Sequence, residues 1–139
     1  FQHIAFVAPT VHAMLNTLTI PVYYFRGEHI TQPLPPKFLT GESIVYSANA
    51  AENFSARTLT HLKDATINAV GLWSARTAEI FVNLMLFHQQ HARLPHLTLF
   101  CLSNATAAAH PLLAQARCAI SPSPDTESLL QTIIAQGKI

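Results

Sequence analysis

Charged residues are scarce in this chain of 139 residues. They make up 11% of it, with 8 Lys+Arg against 7 Asp+Glu and a formal net charge of +1. Nucleic acids and anionic membrane surfaces are bound through clusters of cations, so we expect neither as a partner. Half of the residues are hydrophobic, which argues against disorder and predicts a substantial buried core.

Glycine, cysteine and long apolar runs are also rare. Four glycines in the whole chain leave no convincing dinucleotide-binding or phosphate-binding loop. Cys101 and Cys118 lie in apolar, strand-like runs and predict reduced core thiols in a cytoplasmic protein, not a disulfide framework. No apolar run is long enough to span a bilayer, so we expect no membrane association.

Histidine, by contrast, is frequent: the chain has eight histidines. Only His88 and His91 lie close together in a stretch with helical character. A spacing of three residues can put two ligands on one face of a helix, but no third Cys, Asp or Glu completes a site. We therefore predict no metal, and we expect both histidines to be exposed residues of a helix.

Short β-rich runs alternate with helical stretches along the chain, which predicts an α/β fold with parallel sheets flanked by helices. Several strand candidates are apolar on both faces, as expected for strands covered on both sides. The strand candidates are residues 3–8, 21–26, 43–47, 68–74, 96–103 and 117–121, and the helix candidates are residues 10–18, 56–64, 75–91, 105–115 and 126–136.

Capping residues and spacing refine these elements. The prolines between residues 31 and 41 predict an irregular connection that Gly41 closes. Ser55 is the expected cap of the helix that follows it, and Asp125 or Thr126 is the expected cap of the last helix. The helix at 75–91 has an apolar side at helical spacing, formed by Ala78, Phe81, Val82, Met85 and Leu86.

Two strand candidates end in serine where a helix candidate begins. "GLWSARTAEIF" makes this transition at Ser74, and "FCLSNATAAAH" makes it at Ser103 and Asn104, with Thr106 in the first turn. Ligands of parallel α/β sheets bind beyond the carboxyl ends of the strands, where free backbone N–H groups favour anions. The pattern predicts a carboxylate site that uses few cations. Ordinary N-caps are the alternative interpretation.

Five motifs follow one another in a characteristic order: "PVYYFRG", "SIVYSANAAENFS", "INAVGLWSARTAEIF", "LTLFCLSNATAAAH" and "ISPSPDTESLLQTI". This series, about residues 21–136, resembles the C-terminal half of the uroporphyrinogen-III synthase family. The resemblance implies two flavodoxin-like α/β lobes, one inserted into the other, with a substrate cleft between them. Residues 1–48 then correspond to the tail of the inserted lobe and the crossing strand, and residues 49–139 to most of the second lobe. The first stretch of the family has no counterpart here, so we expect a fold incomplete at the N-terminus and a longer natural protein.

Family members cyclise the linear tetrapyrrole hydroxymethylbilane in haem biosynthesis, with loss of water and inversion of the last pyrrole ring. The resemblance implies this lyase activity here, without a metal or organic cofactor, in a cytoplasmic monomer whose partner is the small-molecule substrate. Tyr46 matches the family tyrosine suggested to help the hydroxyl leave; a strand tyrosine packed between lobes is the alternative. The substrate-binding residues implied are Ser74, Ala75, Ser103, Asn104, Thr106 and Arg26, although Arg26 could equally form an ion pair on the surface.

The turn at residues 103–107 departs from the family pattern, because it lacks the family's glycine and proline. A side chain at position 103 restricts how closely a carboxylate approaches, whereas Asn104 keeps an N–H group that proline would lack. Besides the enzyme, two other hypotheses about the function of this chain remain open. One is a synthase-like domain that binds a tetrapyrrole or another polyacid without turnover, and the other is an unrelated domain of flavodoxin or receiver type.

Overall fold

In the computed structural model, which describes Met14, residues 19–30 and residues 33–136, five strands form two parallel sheets. The chain divides into two units between Asn49 and Ala50, and each unit holds one of the sheets. Strands and helices alternate along the second unit. The predicted α/β class with parallel sheets is therefore confirmed.

The sheet of the first unit pairs β1 (Val22–Gly27) with β2 (Leu39–Tyr46). A short 3₁₀ helix at Pro36–Phe38 leads directly into β2, which begins earlier than residue 43, where the sequence predicted its start. Gly41 lies inside β2 and does not close the connection, so that prediction is wrong. The ring of Tyr23 covers Gly41 from β1: a Cβ atom at residue 41 would lie 2.7 Å from Tyr23 Cε2. The contact with Tyr23 leaves no room for a Cβ atom, which explains why a glycine occurs inside this strand.

The sheet of the second unit has the strand order β3-β4-β5, so β4 is its central strand. The paired residues Leu72, Cys101 and Ile120 end the three strands at the same edge. The elements in chain order are α1 (Ala56–Lys63), β3 (Ala69–Leu72), α2 (Ala75–Phe87), β4 (Thr98–Cys101), α3 (Asn104–Ala107), β5 (Arg117–Ile120) and α4 (Thr126–Gln136), with 3₁₀ helices at His91–His96 and Pro111–Gln115.

Different helices cover the two faces of this second sheet. Leu99 and Cys101 of β4 belong to the larger core, which includes α2, whereas Phe100 between them packs with Leu129 of α4. Successive strand residues point to opposite faces, so β4 is buried on both sides, as its unbroken apolar run predicted. Burial raises the pKa of the Cys101 thiol to about 12, which keeps it protonated at neutral pH.

The helix predicted at 75–91 ends at Phe87 because the backbone of Gln89 turns left-handed, with φ 57°. The N–H of Gln90 returns to the Met85 carbonyl at 2.7 Å, which closes a Schellman motif. His88 is therefore the C-cap, half-buried, and its Nε2 accepts the N–H of Phe54 at 3.4 Å. His91 begins a 3₁₀ helix. The prediction that both histidines are exposed residues of one helix is wrong.

The apolar side of α2 also differs from the prediction at one position. Leu86 is 40% exposed in the last turn, while Leu84 is buried. The strands beneath α2 are only four residues long, so a helix of 13 residues runs past them. The remaining predicted core positions are buried: Ala78, Phe81, Val82 and Met85.

The helix predicted at 105–115 is two separate pieces. α3 ends at Ala107, and His110 then caps the 3₁₀ helix that starts at Pro111. Proline has no N–H group and disfavours the helical conformation in the residue before it, so one continuous helix cannot form here. The predicted strand at 3–8 and the predicted helix at 10–18, apart from Met14, lie outside the described residues.

Candidate functional site

The carboxyl ends of β3 and β4 lie side by side at one edge of the second sheet. Leu72 pairs with Cys101 at the end of the ladder, and the N–H of Leu102 then donates to the Leu72 carbonyl at 3.0 Å. Ser103 follows Leu102 directly, and Ser74 follows Leu72 with only Trp73 between them; at each serine the backbone turns into a helix. The two junctions singled out in the sequence therefore lie at neighbouring strand ends.

Each of these serines caps the helix that follows it. Ser74 Oγ accepts the N–H of Thr77 at 3.0 Å, and Ser103 Oγ accepts the N–H of Thr106 at 3.2 Å. The threonine hydroxyls lie close to the same serine oxygens, at 2.8 Å and 3.1 Å. Since the serine oxygens are engaged within their own turns, the groups these turns offer to a ligand are mainly backbone N–H donors.

The N–H groups of Ala75 and Asn104 belong to the first turns of α2 and α3, where helix geometry provides no acceptor. α2 has 13 residues, so its aligned peptide dipoles add partial positive charge at Ala75. α3 has only four residues and offers its amides without a comparable dipole. Residues 72–78 and 101–107 include no acidic side chain and one cation, Arg76. A carboxylate that approaches these turns therefore meets donors without electrostatic repulsion.

The two threonines of these turns differ in exposure. Thr106 is 2% exposed, so its hydroxyl supports Ser103 from inside the protein. Thr77 has the same capping contacts in α2 but is exposed. Thr77 was not predicted, although the sequence carries a signal for it: a Ser-x-x-Thr spacing occurs at both 74–77 and 103–106.

Tyr46 is the last residue of β2, in the first unit, and it is 64% exposed. Its ring rests on the neighbouring strand, since a Cβ atom at Gly27 would lie 2.6 Å from Tyr46 Cζ and 2.8 Å from the hydroxyl oxygen. The Tyr46 hydroxyl forms no hydrogen bond to any residue that the structure describes. A phenol whose hydroxyl has no hydrogen-bond partner among these residues can donate a proton or a hydrogen bond to a bound molecule.

Arg26 lies on β1 and is engaged inside the first sheet. Its Nε and Nη2 atoms donate to the two carboxylate oxygens of Glu42 on β2, each at 3.0 Å. Its Nη1 donates to the Gly27 carbonyl at 3.1 Å. The hydrogen bond from Arg26 lowers the pKa of the Glu42 carboxyl, and the hydrogen bond to Glu42 raises the pKa of Arg26. This bidentate pair joins β1 to β2 and leaves Arg26 few donors for a substrate.

Metal clusters and membrane-spanning helices are absent from the residues that the structure describes. Among them, no group of three or more His, Cys, Asp or Glu side chains is arranged to hold a metal ion. No helix in the same part of the chain is long and apolar enough to cross a membrane.

The sequence matches one known protein family over most of its length. The model of the family described as uroporphyrinogen-III synthase HemD matches residues 7–131. Comparisons with curated proteins and with solved structures give no match. The matched range contains both serine-capped turns and Tyr46. The chain therefore belongs to the uroporphyrinogen-III synthase family.

Proposed function

We propose that this chain carries the catalytic machinery of a uroporphyrinogen-III synthase, which converts hydroxymethylbilane into uroporphyrinogen III and water. In this reaction the terminal hydroxyl of the substrate leaves with a proton as water. The last pyrrole ring is inverted, and a carbon–carbon bond closes the macrocycle. The observation that supports the proposal best is the pair of serine-capped helix starts at adjacent strand ends, in a chain of this family.

Substrate binding is assigned to the first turns of α2 and α3. Hydroxymethylbilane carries a carboxylate on each of its pyrrole side chains, and carboxylates accept hydrogen bonds from free amides at helix starts. The N–H groups of Ala75 and Asn104 are such donors, and Ser74 and Ser103 hold their turns in place. A hydrogen bond to a charged group contributes roughly 1.5–3 kcal/mol, so a few such contacts can bind the substrate without a cluster of lysines.

The proton donor in the proposal is Tyr46. The Tyr46 hydroxyl, on a residue that is 64% exposed, would donate a proton to the departing hydroxyl of the substrate, which then leaves as water, a better leaving group than hydroxide. The ring of Tyr46 lies over Gly27, and any larger residue at position 27 would displace it. Arg26, by contrast, is assigned to the ion pair with Glu42, and Thr106 to support of the Ser103 turn.

The test is an assay with freshly prepared hydroxymethylbilane in which the uroporphyrinogen isomers are resolved. Spontaneous closure without inversion gives the type I isomer, so type III above that background measures the enzyme. Tyr46→Phe removes only the hydroxyl, and we expect it to lower kcat about 100-fold, within the range of general acid catalysis.

A matched control for Tyr46→Phe lies on the same sheet. Tyr23 is 53% exposed, its ring likewise covers a glycine, and its hydroxyl lies 2.9 Å from Ser43 Oγ. Tyr23→Phe should leave type III formation within about twofold of the unmodified protein. If the folded protein yields only the type I isomer, the enzyme proposal fails. If it binds the tetrapyrrole tightly at the same time, a binding domain without turnover replaces it.

A further inference from the structure

Trp73 is the single tryptophan of the chain, and it stands between the end of β3 and the cap of α2. It is 42% exposed, although the residue before it, Leu72, is 1% exposed. Leu72 points into the core that α2 covers. Since side chains alternate along a strand, Trp73 points to the opposite face of β3. A large, partly exposed aromatic side chain therefore lies on the face of β3 that α2 does not cover, one residue before the serine cap in the chain.

The indole ring of Trp73 lies against Gly71 of β3. A Cβ atom at Gly71 would lie 2.4 Å from Trp73 Cζ3 and 2.9 Å from Cη2, so only glycine permits this position of the ring. The six-membered ring of the indole thus lies against Gly71, while the residue as a whole remains 42% exposed. Binding to a ring already held in one orientation costs less conformational entropy than binding to a mobile one.

From this geometry we propose that Trp73 is a stacking platform for one pyrrole ring of the tetrapyrrole ligand, a positioning role that rests on the proposed function. A pyrrole ring is flat and rich in π electrons, and it carries carboxylate side chains. Trp73 and Ala75 lie two residues apart in the chain, with the cap Ser74 between them. In the proposal, the pyrrole ring lies on the indole, and one of its flexible carboxylate side chains extends around the end of β3 to the first turn of α2.

The first experiment uses the unmodified protein, because its only tryptophan makes indole fluorescence specific for this position. The probe is uroporphyrinogen III, kept reduced under anaerobic conditions. It has no conjugated macrocycle, so it neither absorbs the indole emission nor accepts energy from it. We expect a saturable change of emission that follows the binding curve from calorimetry. We also expect the bound probe to protect Trp73 from quenching by acrylamide.

The second experiment compares the affinities of variants for the same probe. Trp73→Leu should weaken binding about tenfold, and Trp73→Phe, which keeps an aromatic ring, no more than about threefold. Gly71→Ala should displace the indole and weaken binding as Trp73→Leu does. The matched control is Phe87→Leu, since Phe87 is 69% exposed but ends α2, at the opposite end of that helix from Trp73. It should bind as the unmodified protein does.

The outcomes separate this inference from the proposed function. If calorimetry shows binding but the indole emission and its acrylamide quenching stay unchanged, the stacking role is overturned and the proposed function stands. The same holds if Trp73→Leu is folded and binds with full affinity. If the folded, unmodified protein does not bind uroporphyrinogen III at all, both proposals fail. If Trp73→Leu does not fold, the fluorescence and acrylamide quenching of the unmodified protein test the stacking role without it.

Discussion

The helices α1 and α2 are built alike at both ends, yet only one of them starts at a strand end of the sheet. Both begin with the sequence Ser-Ala-Arg-Thr, at residues 55–58 and 74–77. Ser55 Oγ accepts the N–H of Thr58 at 3.1 Å, and Ser74 Oγ accepts that of Thr77 at 3.0 Å. Identical tetrapeptides thus give nearly identical caps, because capping depends on contacts within one turn.

The C-terminal ends of the two helices match as well. Ala65 after α1 has φ 55° and Gln89 after α2 has φ 57°, and neither is glycine. In each case the next N–H returns to a carbonyl of the last turn, Thr66 to His61 at 3.0 Å and Gln90 to Met85 at 2.7 Å. Both helices therefore end in a Schellman motif with a side chain in the left-handed region.

The position of each cap in the fold is where the helices differ. Ser74 follows β3, whereas Ser55 follows Phe54, whose ring stacks on His88 with centroids 5.6 Å apart. His88 is the C-cap of α2, so the two serines lie near opposite ends of that helix, about 20 Å apart for its 13 residues. The comparison teaches that a cap motif specifies a helix start, and that only a neighbouring strand end makes such a start a candidate ligand site.

The largest effect is expected from removing both caps at the strand ends. The double variant Ser74→Ala/Ser103→Ala should lower kcat/KM for type III formation about 100-fold, because both sets of first-turn amides lose their fixed orientation. The assay with resolved isomers measures this, at a temperature where circular dichroism shows the variant folded. A loss smaller than about threefold would remove these turns from the proposed site.

Comparison of the two single variants Ser74→Ala and Ser55→Ala tests the contrast directly. Each should lower the free energy of unfolding by about 1 kcal/mol, since each loses the same capping bond. Ser74→Ala should also lower kcat/KM about tenfold, while Ser55→Ala should leave it within about twofold. Urea unfolding and the isomer assay give the two measurements. Equal losses of activity in both variants would show that capping acts only through stability.

The smallest effect is expected at the C-terminal ends, where the two helices should respond alike. Ala65→Gly and Gln89→Gly relieve a left-handed backbone, so each should raise the free energy of unfolding by about 0.5–1 kcal/mol without changing kcat/KM. Glu79→Gly, at an exposed position inside α2, is the control and should lower stability by about 0.5 kcal/mol. Destabilisation by Ala65→Gly or Gln89→Gly would contradict the role assigned to these turns.

Much of the local structure could be read from the sequence. The bounds of α4 agree with the predicted 126–136, and Asp125 caps it by accepting the N–H of Ser128 at 2.8 Å. The apolar runs that predicted β4 and β5 form neighbouring strands. Two of the errors lie where one residue overrides a periodic pattern: Gln89 in the left-handed region and Pro111 after α3. Alanine-rich or apolar surroundings favour a helix at both places, but a backbone turn or a missing N–H ends it.

The sequence by itself determined where helices begin and that the strands are apolar enough for a parallel sheet, because caps and hydrophobic periodicity act between residues a few positions apart. It did not determine that the strands ending before Ser74 and Ser103 are direct neighbours in the sheet, nor that the ring of Trp73 lies against Gly71. Only the tertiary structure decided these points. Pairing of β3 with β4 brings Ser74 to the same edge as Ser103, and such contacts depend on the fold of the whole sheet and leave no local pattern.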